Sequence, residues 1–197
     1  MFDVFNQWSD NPKTDMQRFS EVVHKALALD DSNATALSAL SCSDWMQQRF
    51  DQAVADAERA VAINRNSAQG YQALSWALAN EFKPEGALRA AKEAMRLDPA
   101  RQDLYAFEVG TAYNEMGRHD EAVTLLQRNL AAYPNNFVAH LVLAAAYVEL
   151  GRDDDAHAEA AEIMRISPHF AVASLQPTKD NARNKLWQTE LRKAGLK

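Results

Sequence analysis

Side chains that could do chemistry are few and scattered in this sequence. The histidines are His24, His119, His140, His157 and His169, and no two stand at the i, i+4 spacing with which an H-E-x-x-H helix holds zinc. Cys42 is the only cysteine, so no intrachain disulfide can form and the paired thiolates of a structural zinc site are missing. A nucleophilic thiol also needs an activating base, and none falls near Cys42 in the repeat frame set out below. His119 lies in Gly-Arg-His-Asp-Glu-Ala, a turn followed by a helix start, which gives it a surface or capping role. The run Asp153, Asp154 and Asp155 has the charge to hold a cation. It also opens a helix after a turn, where carboxylates complement the helix dipole, and that reading is preferred. There is no glycine-rich phosphate loop and no G-x-S-x-G elbow. The expectation is a non-enzymatic protein with no metal and no cofactor.

Charge narrows the partners. Lys and Arg number 21 against 27 Asp and Glu, a formal net charge of −6. Nucleic acid and anionic membrane surfaces are bound by clustered positive charge, so neither is expected as a partner. The basic stretch of Arg183, Lys185, Arg192 and Lys193 reads as a solvated helix face. The longest apolar run, Leu141 to Val148, falls far short of the ~18 residues of a membrane span. Residues Met1 to Pro12 show neither the basic region nor the apolar core of a signal peptide, and the expected location is cytoplasmic.

The elements that carry these residues recur. Ala53, Ala87, Ala122 and Ala156 are separated by 34, 35 and 34 residues, and the last three are each followed twelve residues on by Pro99, Pro134 and Pro168. Around each anchor the same pattern returns: Leu74, Ser75 and Leu78 in one copy, Val109, Gly110 and Tyr113 in the next, then Leu143, Ala144 and Tyr147. The copy holding Leu37, Leu40, Ser41 and Ala53 has Arg65 where the others have proline. Small residues such as Gly110 and Ala122 let two antiparallel helices approach, and Gly117 and Gly151 fall where the first helix of a pair must turn, a place for positive φ. Asp98-Pro99 and Tyr133-Pro134 end the second helix, because the residue before proline is pushed out of the α region.

This period and punctuation resemble the tetratricopeptide repeat (TPR) over residues 34 to 168. The resemblance implies an all-α fold, a right-handed TPR superhelix (an α-solenoid) of antiparallel helix pairs. Repeats fall at 34–67, 68–102, 103–136 and 137–170, preceded by a degenerate repeat at 1–33. That first repeat would have its second helix at Thr14 to Leu29 and a short first helix at Phe2 to Trp8. A helix at Asn181 to Ala194, within a segment 178–195, closes the array as a C-terminal capping helix, which solenoids need for solubility. Its apolar Leu186, Trp187 and Leu191 are expected on one broad face, with Arg183, Gln188, Glu190 and Arg192 toward solvent. That face is expected to dock on the open side of the fourth repeat's second helix, around Ala156, Ala160 and Ile163, leaving the groove free. The competing arrangement is a tail folded back into the groove.

In such a superhelix the first helix of each pair lines the concave face. The inward positions carry Ser38, Cys42 and Trp45, then Gln72 and Trp76, then Leu104, Phe107, Thr111 and Asn114, then Val138, Leu141, Ala145 and Val148. The Lys, Asn and Arg with which TPR cochaperones grip an acidic C-terminal peptide are replaced at the matching places by Ser38, Cys42, Ala73, Leu104 and Glu108. An acidic chaperone tail is therefore not the expected ligand. An apolar and aromatic groove suits an amphipathic helix or peptide. The C-terminal run Leu191 to Leu196 is also similar to the tail of bacterial class III adenylate or guanylate cyclases, which implies a regulatory module of a signalling protein. The functional reading is a protein–protein interaction scaffold; the alternative is a self-associating TPR that forms homo-oligomers through the same groove.

Overall fold

The structure, a computed structural model, describes residues 12–175 and 178–197. Among the described residues there are ten α-helices and no strand. They are α1 (Pro12–Leu29), α2 (Ala34–Met46), α3 (Phe50–Ile63), α4 (Ala68–Asn80), α5 (Pro84–Leu97), α6 (Gln102–Glu115), α7 (His119–Ala132), α8 (Phe137–Glu149), α9 (Asp153–Ile166) and α10 (Asn181–Lys193). The pairs α2/α3, α4/α5, α6/α7 and α8/α9 pack within themselves, and each pair stacks on the next. These are the four repeats. α1 packs on α2. The short helix expected at Phe2 to Trp8 lies outside the described residues.

Local chemistry sets the helix ends at the repeat period. Asn33, Ser67 and Asn136 each accept a hydrogen bond from a backbone N–H in the first turn of α2, α4 and α8, at 2.9, 3.0 and 3.3 Å. Such a cap satisfies one of the donors a helix start leaves free. The third repeat has Arg101 at this place, with no side-chain cap, and a 3₁₀ turn at Pro99–Arg101 leads into α6 instead. Between the helices of each pair the chain passes once through the left-handed region. Gly117 and Gly151 do so at φ of 73° and 68°, and Gln48 and Phe82 occupy the same place in the first two repeats at 60° and 62°.

The anchor alanines sit where the two helices of a pair meet. Ala53, Ala87, Ala122 and Ala156 are all fully buried. Opposite them lie the equally buried Ser41, Ser75, Gly110 and Ala144. The spacing there is tight. A Cβ added at Gly110 would stand 3.0 Å from Leu126 Cγ and 3.3 Å from the Ala122 carbonyl oxygen. Ser75 fits by donating its hydroxyl to the Ala87 carbonyl at 3.0 Å. Larger residues, among them Leu37, Tyr105, Leu126 and Ile163, are fully buried and fill the rest of the core.

The C-terminal segment departs from expectation. α10 packs chiefly against α8, the first helix of the fourth repeat, and not on the α9 face around Ala156, Ala160 and Ile163. Two features explain this. α8 (FVAHLVLAAAYVE) is apolar nearly all round, with ten buried residues, and such a helix must be covered on every side. Meanwhile the end of the last pair is already filled by Phe170, edge-on to Phe137 at 5.1 Å, and by the buried Val172. The inward face of α10 also differs from the expected one. Leu191 and Ala194 are fully buried and Trp187 half-buried, whereas Leu186 is exposed. Arg183 and Glu190, expected in solvent, lie inward: Arg183 pairs with Glu115 of α6, and Glu190 pairs with Arg183 in turn.

Candidate functional site

The concave face is built from α2, α4, α6 and α8, and its central feature is a row of three rings. Trp45 and Trp76 lie 6.1 Å apart between centroids, and Trp76 and Phe107 lie 5.5 Å apart, all tilted to one another. Each ring comes from a different repeat, so the stacking of the solenoid aligns them. Such tilted pairs add about 0.5–1.5 kcal/mol beyond area burial. Trp45 and Trp76 remain half-exposed toward the groove, while Phe107 is buried.

A carboxylate lies beside this row. Glu108 is buried, with Oε1 accepting from Gln72 Nε2 at 2.7 Å and from Trp76 Nε1 at 3.2 Å. Its Oε2 is buried without a hydrogen-bond partner. Burial raises the pKa of this carboxyl, outweighing the two donors. The sequence pointed to Glu108 only as a residue that breaks the acidic-peptide clamp. A stronger signal was available: the equivalent places in the other repeats are Ala39, Ala73 and Val142, so an acid stands alone in an apolar column.

Two open cavities flank the rings. One, of about 450 Å³, lies between α1, α2 and α4 and is lined by Phe19, Ser38, Cys42, Trp45, Gln72 and Trp76, among others. Cys42 is exposed to it yet ringed by apolar walls, and that desolvation pushes its thiol pKa up. The other, of about 860 Å³, opens between Trp76, Leu104, Phe107, Glu108 and Val138 and the α7–α8 turn.

The structure thus brings together Ser38, Cys42, Trp45, Gln72, Trp76, Leu104, Phe107 and Val138 along the groove, with Thr111 beside them. The remaining expected positions are occupied differently. Asn114 is buried, its Oδ1 at 2.8 Å from His119 Nδ1, so it is engaged within the repeat. Leu141 and Ala145 are fully buried on α8, the helix that α10 covers, and Val148 is half-buried there. The open parts of the groove therefore belong to the first three repeats, and its middle is not left free as expected, since Thr178, Arg183 and Trp187 of the C-terminal segment lie over Trp76 and Phe107.

Basic side chains of the C-terminal segment complete the face. Arg183 donates Nε and Nη2 to the two oxygens of Glu115 at 2.7 and 3.0 Å, a two-pronged pairing, and Nη1 to Glu190 at 2.9 Å. Lys179 reaches Asp51 and Glu81, the latter at 2.9 Å. Burial disfavours the Arg183 charge, but its two carboxylates outweigh that and raise its pKa. Among the described residues no group of three His, Cys, Asp or Glu gathers as a metal site, and no helix is long and apolar enough to cross a membrane.

Sequence models of the tetratricopeptide repeat match residues 33–68 and 113–176. A comparison with curated proteins finds no match. Among solved structures, the chain is similar to TTC0263, a thermophilic TPR protein of Thermus thermophilus, at 21% identity and TM-score 0.68, covering 91% of this chain and 93% of that one. It is also similar to PilW, a type IV pilus biogenesis factor, at 22% identity and TM-score 0.69, covering 92% and 79%. MamA matches at 20% identity and TM-score 0.60, covering 81% and 95%. At these identities the likeness is one of fold. Recurring helix pairs, anchor alanines and turn positions agree with it: the chain is an array of tetratricopeptide repeats in a TPR solenoid.

Proposed function

We propose that this protein is a non-catalytic scaffold that binds a peptide or helix of a partner protein in the groove of its first three repeats. The observation that carries this reading is the row of Trp45, Trp76 and Phe107 between two open cavities. Half-exposed aromatic rings in a concave, mostly apolar surface are the anchors that dominate binding energy at interfaces. A helix with apolar residues at i, i+3, i+4 and i+7 presents the matching stripe. Within this reading the array is a regulatory module of a bacterial signalling protein, as the Leu191–Leu196 resemblance implies.

The test is a selection of helical peptides on the full chain, followed by two measurements on the binders. Binding is expected to shield Cys42 from alkylation, since that thiol faces the cavity beside Trp45. Trp76→Ala is expected to weaken binding by at least about 2 kcal/mol, the size of an interface hot spot. Binders that ignore Trp76→Ala and leave Cys42 reactive refute the groove. Light scattering of the free protein addresses self-association: dimers lost in Trp76→Ala would assign the groove to a second copy.

A further inference from the structure

The segment from Thr178 to Trp187 crosses the concave face, and polar groups hold it there. The Lys179 backbone N–H donates to the Asn80 carbonyl at 3.1 Å, and its ammonium reaches Asp51 and Glu81. Four residues on, Arg183 clasps Glu115. Four further, Trp187 turns toward Trp76 and Phe107 across a cavity of about 110 Å³ that also touches Glu108. The segment spans the groove without filling what lies beneath it. A segment that lies over an unfilled apolar cavity, held at one end by the solvent-exposed pair of Lys179 with Asp51, is one that a better-filling ligand can displace.

The geometry points to residues 178–187 as an internal stand-in for the partner: they mask the middle of the groove, and the partner that displaces them is a basic, aromatic protein segment. Such a segment has Lys or Arg at the places of Lys179 and Arg183 and an aromatic side chain at the place of Trp187. Charge complementarity carries the assignment. The carboxylates along the path, Asp51, Glu81 and Glu115, are met from the segment by Lys179 and Arg183, and Glu81 is paired with Lys83 of its own turn as well. The partnerless Glu108 Oε2 offers one more acceptor to an incoming N–H donor. This deepens the reading of the groove as the binding surface and rests on it.

The probe is a fluorescein-labelled synthetic peptide with the sequence of residues 178–190, titrated by anisotropy into full-length protein. In a Cys42→Ser, Asn80→Cys, Lys179→Cys variant, oxidation ties the segment down beside α4, where the backbone contact already exists. Lys179→Glu loosens it instead, by setting a third carboxylate against Asp51 and Glu81, at an exposed position that the fold does not need. The oxidised variant is expected to bind no peptide. The reduced variant and Lys179→Glu are expected to bind it at least about tenfold more tightly than the unmodified chain, because the competent state is no longer a small fraction. A peptide carrying Lys179→Glu and Arg183→Glu is expected not to bind. Where the disulfide fails to form, Lys179→Glu decides alone. Equal affinity for the peptide in the unmodified and loosened proteins overturns the stand-in. If selected helical peptides still depend on Trp76 in that case, the groove survives and only the masking segment is wrong. Dimers of the loosened protein without peptide would overturn the partner assignment in favour of segments exchanged between copies.

Discussion

Replacing Gln48 by glycine is expected to stabilise the protein, although it deletes a side chain. Gln48 occupies the left-handed region at φ 60°, the place held in the third and fourth repeats by Gly117 and Gly151. For a residue with a Cβ this conformation costs about 1–2 kcal/mol. Gln48 is exposed, and its structural role is a backbone hydrogen bond to the Trp45 carbonyl at 2.9 Å, which glycine keeps. The opposing effect is the freedom glycine adds to the unfolded chain, about 0.4–1 kcal/mol. The balance for Gln48→Gly is a gain of about 0.5–1 kcal/mol. Gly117→Ala runs the same balance backwards. A Cβ there would meet nothing within 4 Å, so its cost is purely that of the backbone, again about 0.5–1 kcal/mol. For a chain of this size 1 kcal/mol moves Tm by about 2–4 °C. Calorimetry on the two variants should therefore show Tm moving a degree or more in opposite directions. A fall in Tm for Gln48→Gly, or no change for Gly117→Ala, refutes the equivalence of these four turns.

Gly110→Ala and Ala122→Leu should each cost about 1–3 kcal/mol by overpacking the contact between α6 and α7; urea midpoints equal to that of the unmodified protein would show that the helices do not meet there. The pKa of Asp56 is raised to about 6, first by burial and then by its hydrogen bond to Asp44 and the charge of Asp44. Because the folded pKa lies above the unfolded one, the native state holds the extra proton between about pH 4 and 6, and stability falls as pH rises through that window. Asp56→Asn should thus stabilise above pH 6 and do little below pH 4, as urea melts at the two ends of the range will test. His140 is also raised, but by partners that favour its charged form. Burial, the largest influence, lowers its pKa, but acceptance by Glu159 at 2.5 Å and by the Pro134 carbonyl at 3.1 Å outweighs it and the net shift is upward. Its stabilisation is complete below its unfolded pKa near 6.5 and is lost as pH rises through the folded value; Glu159→Gln should lower the pKa read by NMR, and an unmoved titration would exclude the pair.

The repeat frame was legible because it rests on short-range rules that recur. Anchor alanines, capping residues and turn glycines each answer a local steric or hydrogen-bonding need, and a stacked array imposes that need every 34 or 35 residues. The same frame puts residues at equivalent places in α2, α4 and α6 on one side of the array, which is why the rings of Trp45, Trp76 and Phe107 adjoin. It missed Glu108 as a site residue because burial of a carboxylate depends on which donors surround it, here Gln72 and Trp76 from the neighbouring repeat.

What the sequence determined by itself, then, is the unit and its stacking, including the tight α6–α7 contact. Tertiary structure alone decided where the C-terminal segment lies. That segment is outside the period, so no repeat copy predicts its partners, and its amphipathic pattern allows more than one inward face. The outcome was settled by surfaces far away in the chain. An all-round apolar α8 had to be covered, and carboxylates 128, 98 and 68 residues upstream, Asp51, Glu81 and Glu115, were placed to receive Lys179 and Arg183. Ion pairs at such separations exist only once the solenoid has stacked, which is why Arg183 read as a solvent-facing residue in the sequence and lies half-buried in the fold.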